Sequence, residues 1–175
     1  RLQIRDVMVK KKLKLKLEGT PFDDIWIIGL NTIEEDYKLA WSLNKNLGFN
    51  FVKCDSISPN GVDLFSFYVY SMGDNENYLS NINENAKCFT LVALTSYNGK
   101  EWTTFKPKTD YLLILRNVSD ESYFQSILSQ VKLIPQIQYA YAVNLDYNSK
   151  IDKILENVEF HEKKIFGEKR NILLK

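Results

Sequence analysis

From Lys12 to Glu18, lysines alternate with Leu13, Leu15 and Leu17. This period of two sets three leucines on one face of a strand and the charges on the other. Thr20 to Asp24 turns the chain into Ile25 to Leu30, a continuous apolar run that suits a strand covered on both faces near the sheet centre. Thr32 and Glu35 then stand at capping-box spacing, and Ile33, Tyr37, Ala40, Trp41, Asn44 and Leu47 recur every three or four residues up to Gly48. The spacing predicts a helix over 32–47. Glu34, Glu35 and Asp36 fall in its first turn and Lys45 in its last, as the helix dipole favours.

Phe49 to Cys54 reads as a strand, and Ser56 to Gly61 as a loop. Phe65 to Tyr70 is strongly β-prone; a polar loop through 73–77 and a short strand at 78–82 follow. Cys88 to Tyr97 and Glu101 to Lys106 flank Asn98-Gly99, a dipeptide suited to the positive φ angles of a tight hairpin turn. Tyr111 to Arg116 is an apolar strand. Ser119 is placed to cap a helix whose stripe is Tyr123, Phe124, Ile127, Leu128 and Val131, stopped by Pro135. In the strand from Ile137 to Leu145, Ala140 and Ala142 leave room on one face for a helix to approach. From Lys150 the tail carries Ile151, Ile154, Leu155, Val158 and Ile165 at helical spacing, fit to dock on the domain or on a second copy.

Two strand-helix-strand units, 25–54 and 111–145, are thus separated by an antiparallel stretch. The expected class is α+β: a two-layer sandwich with a mixed, largely antiparallel sheet, two main helices on one face and a C-terminal helix. Residues 1–11 read as an N-terminal extension, 12–149 as one domain and 150–175 as the helical tail. Met8, followed by Val9-Lys10-Lys11-Lys12, reads as a translation start, which would make residues 1–7 an addition.

Composition narrows the class further. With 175 residues, 45% hydrophobic and 13% aromatic, the chain has enough apolar area for one core, since each buried aromatic removes roughly 150–250 Å² from water. Twenty-three basic and 22 acidic side chains leave a net charge of +1, against a polybasic binder. The two cysteines, Cys54 and Cys88, match neither a disulfide framework nor a four-ligand zinc site, and read as buried thiols in a reducing compartment. No apolar run approaches the roughly 20 residues that cross a bilayer, so a cytoplasmic location is expected.

Leu15-Lys16-Leu17-Glu18, Ile27-Ile28-Gly29-Leu30 and the Asp36-Tyr37-x-Leu39-x-Trp41-x-Leu43-Asn44-Lys45 segment resemble the N-terminal half of the IPExxxVDY family of Bacteroidetes proteins. Pro107-Lys108-Thr109-Asp110-Tyr111 keeps a Pro and an Asp-Tyr of the name-giving motif. That family has no established activity. The resemblance implies a cytoplasmic bacterial protein and supplies no catalytic residues.

Candidate chemistry is sparse. His161 is the only histidine, and nothing in the sequence pairs it with a nucleophile; packing or surface exposure explains it better. The carboxylates at Asp23-Asp24, Glu34-Glu35-Asp36 and Asp74/Glu76 lack cation-loop spacing. Gly29-Leu30-Asn31-Thr32 leads from strand to helix as an anion site would, without flanking glycines or a lysine. Tyr37, Trp41 and Asn44 share one helix face and are the candidate ligand-binding residues, with the aromatics equally explained by packing. Lys10, Lys12, Lys14 and Lys16, with Phe65, Phe67, Tyr68 and Tyr70 as stacking rings, are the candidate nucleic-acid contacts; a solvated edge strand is favoured over that reading. No metal, cofactor or catalytic residue is assigned. The expected function is a non-enzymatic interaction or regulatory domain, with a protein partner or a homodimer. The alternatives are a small-molecule pocket near the first helix and nucleic-acid binding through the lysines.

Overall fold

The computed structural model describes residues 24–71, 87–146 and 148–173. The strands expected at 12–18 and 78–82, the loop at 73–77 and Lys10, Lys12, Lys14 and Lys16 lie outside them.

In chain order the elements are β1 (Trp26–Asn31), α1 (Asp36–Leu47), β2 (Val52–Lys53), β3 (Phe67–Ser71), β4 (Cys88–Ala93), β5 (Tyr111–Arg116), α2 (Glu121–Lys132), β6 (Tyr139–Ala142) and α3 (Ser149–Leu173). The six strands form one sheet in the order β2-β3-β4-β5-β1-β6, and every pairing is antiparallel. This is the α+β architecture expected from the chain. β1 lies between β5 and β6, so α2 carries the chain over one intervening strand, a split β-α-β unit.

Side-chain alternation divides the sheet into two apolar faces. Ile28, Leu30, Leu91, Leu113 and Leu115 meet Leu39, Ala40 and Leu43 of α1 and Phe124, Ile127 and Val131 of α2. Ile27, Phe67, Val69, Val92, Leu112 and Ile114 meet Ile151, Ile154, Leu155, Val158 and Ile165 of α3. The tail helix therefore docks on its own domain and adds a third layer opposite α1 and α2. Its five apolar residues are those the helical spacing picked out. The close approach expected at Ala140 is present, since it is buried with the α2 stripe.

Local departures have identifiable causes. Among the described strands β1 is next to the edge, not central; its run is apolar because helices cover both faces. Thr32 does not cap α1. Its hydroxyl donates to the Gln136 carbonyl at 2.6 Å and accepts from the Glu34 N–H, and the helix starts at Asp36 after an extended Glu35. The α1 C-terminus is as expected, with Gly48 in the left-handed conformation at φ 66°. The cap of α2 is Asp120, not Ser119; its carboxylate accepts from the Ser122 N–H at 2.8 Å. Around Asn98-Gly99 the chain does reverse, with the Ser96 N–H bonded to the Lys100 carbonyl and Thr95 bridged to Glu101. The second arm is no strand, because Trp102 and Phe105 pack against the α3-side core and β5 takes the place beside β4.

Candidate functional site

The start of α1 sits beside the ends of β3, β4 and β5, and an open cleft of about 400 Å³ lies there. Its lining is Glu35, Asp36 and Tyr37 from the helix start, Ser66 from just before β3, Ala93 from β4, Thr95, Ser96 and Tyr97 from the turn, and Tyr111 from β5. Register brings them together: Ala93 stands opposite Tyr111, and the Ala93 N–H donates to the Ser66 carbonyl at 3.0 Å. Tyr37 and Tyr97 are 57% and 58% exposed. Tyr111 is half-buried, and its hydroxyl donates to the Glu34 carbonyl at 3.2 Å.

One wall is organised by a charge pair. Lys53 Nζ lies 3.0 Å from Asp36 Oδ2, and its ammonium stands 5.7 and 5.5 Å from the ring centroids of Tyr68 and Tyr97. The Tyr68 hydroxyl and the Tyr37 N–H also donate to Asp36. Partial burial pushes the Asp36 carboxyl up, but these three donors outweigh it and hold the group below the usual carboxylate range. The same contact with Asp36 pushes the Lys53 ammonium up, so it stays charged. Burial, and then the nearby Asp36 charge, push the Tyr68 phenol to about 12.

Of the three residues that share the α1 face in the sequence, only Tyr37 lines the cleft. Trp41, one turn on and 58% exposed, carries Lys45 Nζ at 4.8 Å from its ring centroid. Asn44 turns the other way: its Oδ1 accepts from the Phe51 N–H at 2.7 Å and its Nδ2 donates to the Phe51 carbonyl at 3.2 Å. The amide thus clamps the loop between α1 and β2. Ser66, Tyr97 and Tyr111 carry no motif; the Asn98-Gly99 turn beside Tyr97 is the one sequence signal that points near them.

The other candidates sit elsewhere. Phe65, Phe67 and Tyr68 are buried, so their rings pack in the core and are closed to bases. His161 lies on α3, on the opposite side of the sheet, with its ring edge-on to Phe67 at 4.8 Å and a ring nitrogen 2.7 Å from the Asp55 carbonyl. Burial pushes the Cys88 thiol up to about 12. In the Gly29–Thr32 turn a carboxylate of the chain itself holds the donors: Asp110 Oδ2 accepts from Asn31 Nδ2 at 2.8 Å and from the Thr32 N–H at 3.0 Å. Among the described residues no group of three or more His, Cys, Asp and Glu is placed to hold a metal ion. No helix among them is long and apolar enough to cross a membrane.

A second, more apolar cleft of about 360 Å³ lies at the far end of β1, lined by Ile25, Trp26 and 142–145. It offers one side-chain amide, that of Asn144, as its only polar side chain apart from the Trp26 indole N–H, which is already donated to the Val118 carbonyl. Comparison with protein families, with curated proteins and with solved structures finds no match for this chain.

Proposed function

We propose that this protein is a non-enzymatic binding domain that uses the cleft at the start of α1 as its recognition site. What carries the reading is the cleft itself. It combines exposed tyrosine rings with hydroxyls and carboxylates on a rigid sheet-and-helix frame, a mixture suited to holding a ligand. Among the described residues, the cleft lining contains no imidazole, thiol or amine. His161 is across the sheet, the Cys88 thiol is buried, and Lys53 is held as an ammonium by Asp36.

The test is a fragment screen by ligand-observed NMR on the full chain, followed by amide shift mapping. Bound fragments are expected to move the signals of Tyr37, Ser66, Tyr97 and Tyr111. Hits that gather instead around Trp26 and Val143 would overturn the assignment.

A homodimer is a second reading, favoured by the outer side of β6, which bonds to β1 and to no other described strand. Light scattering is then expected to give twice the 20.5 kDa chain mass, and a monomer at every accessible concentration rejects it. Membership of the IPExxxVDY family and a cytoplasmic location belong to the same proposal. Their support is the Asp36–Leu47 segment and the presence of Cys54 and Cys88 as thiols.

A further inference from the structure

We propose that the cleft recognises an organic cation, an ammonium or guanidinium group, through the ring faces of Tyr37 and Tyr97, the Glu35 carboxylate and the Ser66 hydroxyl. This inference rests on the cleft being the binding site and adds the chemistry of what enters it.

The chain's own cations show what these rings attract. Lys53 Nζ stands 5.5 Å from the Tyr97 centroid and Lys38 Nζ stands 5.7 Å from that of Tyr37, both within the range at which a ring face attracts a positive charge. Each ring is still more than half exposed, which leaves area for a guest.

Charge around the helix start points the same way. Glu34, Glu35 and Asp36 face two lysines. Lys53 is taken by Asp36 at 3.0 Å, and the exposed Lys38 is shared between Glu34 at 3.9 Å and Glu35 at 3.5 Å. One negative charge is left over at the mouth. An anion has the opposite prospect, because the helix-start N–H of Tyr37 is already bonded to Asp36 Oδ1 at 2.8 Å.

The floor supplies an available acceptor for such a guest. Ser66 is 3% exposed and lines the cleft, yet its hydroxyl has no hydrogen-bond partner among the described residues. Every N–H of an ammonium or guanidinium is a donor, and a hydroxyl accepts such a bond without rearrangement. The neighbouring Ser96 hydroxyl is not free for this, being engaged with Asn98.

The probes are N-acetyl-arginine methylamide and a Gly-Gly-Arg-Gly-Gly peptide, compared by titration with N-acetyl-glutamine methylamide and inorganic phosphate on the full chain. Both cations are expected to bind and to shift the amides of Tyr37, Ser66 and Tyr97, with affinity falling several-fold as salt rises from 20 to 200 mM (roughly 20 to 7 Å in screening length). Tyr97→Ala and Glu35→Gln, both at exposed positions, are each expected to weaken arginine binding about 5-fold or more. Lys53→Met removes the competing internal ammonium and is expected to tighten it. Peptide binding stronger than that of the single residue identifies a partner chain as the source, and equal binding identifies a lone cation; both support the site. If the glutamine analogue or phosphate binds as well as the arginine probe, or Lys53→Met leaves arginine binding unchanged, the inference is overturned. Neutral fragments that still map to the cleft in that event show that the binding-site reading survives it, whereas no ligand at the cleft removes both.

Discussion

Asn44 and Trp41 are neighbours on one helix and behave as opposites. Asn44 satisfies both backbone groups of Phe51, and a buried donor left unmade costs about 1–3 kcal/mol. Asn44→Ala is expected to lower unfolding stability by that amount in urea, whereas Trp41→Ala, on the exposed side, is expected to stay within about 0.5 kcal/mol. Asp36 gives a pH signature. Its carboxyl is held low, so its stabilising contact is complete above the ordinary carboxylate pKa of about 3.9 and is lost as the pH falls through the lowered value. An NMR titration of the Asp36 side chain is expected to show a midpoint below that value in the wild type and a higher midpoint in Lys53→Met. The sequence disclosed Asp36 in the first turn and the helical placement of Tyr37; Glu34 and Glu35, expected in that turn, precede the helix. It did not disclose that Lys53, Tyr68 and Tyr97 gather round them, because strand pairing between residues far apart in the chain creates that meeting.

Elements were legible in proportion to their periodicity. β5 matches the apolar run Tyr111–Arg116, and the α3 stripe lands residue for residue on the second face of the sheet. The second hairpin arm departs from its strand-like composition because Trp102 and Phe105 pack, partly buried, against the α3-side core. Likewise a run of apolar residues in β1 reports cover on both faces and says nothing about rank within the sheet. What locks α3 was not legible at all. Glu162, 5% exposed, accepts from Thr90 Oγ1 at 2.6 Å and from Arg116 Nη1, tying the helix to β4 and β5. Burial pushes its carboxyl up against the pull of Arg116 and Thr90. Glu162→Ala strands the Arg116 charge and is expected to cost about 3–5 kcal/mol in chemical denaturation. The double variant Arg116→Met, Glu162→Leu is expected to recover much of the loss, which a purely steric role for Glu162 does not allow.

At the scale of the molecule, the described residues form a sheet held between unequal covers, two helices on one side and one on the other. Its most protected strand is β4, buried at all six positions between β3 and β5. Amide hydrogen exchange is expected to be slowest in β4 and β5 and faster in the edge strands β2 and β6, since central pairs open only with the whole fold. Uniform exchange across the sheet would contradict this order. The sequence conveyed the fold class because local patterns determine the elements. It was silent on the cleft because a hollow is a property of how several strands end together.

The single-helix cover has a consequence during synthesis. All six described strands leave the ribosome before α3 does, so a nascent chain halted ahead of Ile151 presents Phe67, Val69, Val92 and Ile114 to solvent without their lid. Until α3 is translated, that greasy plane is a target for chaperones and a seed for misassembly.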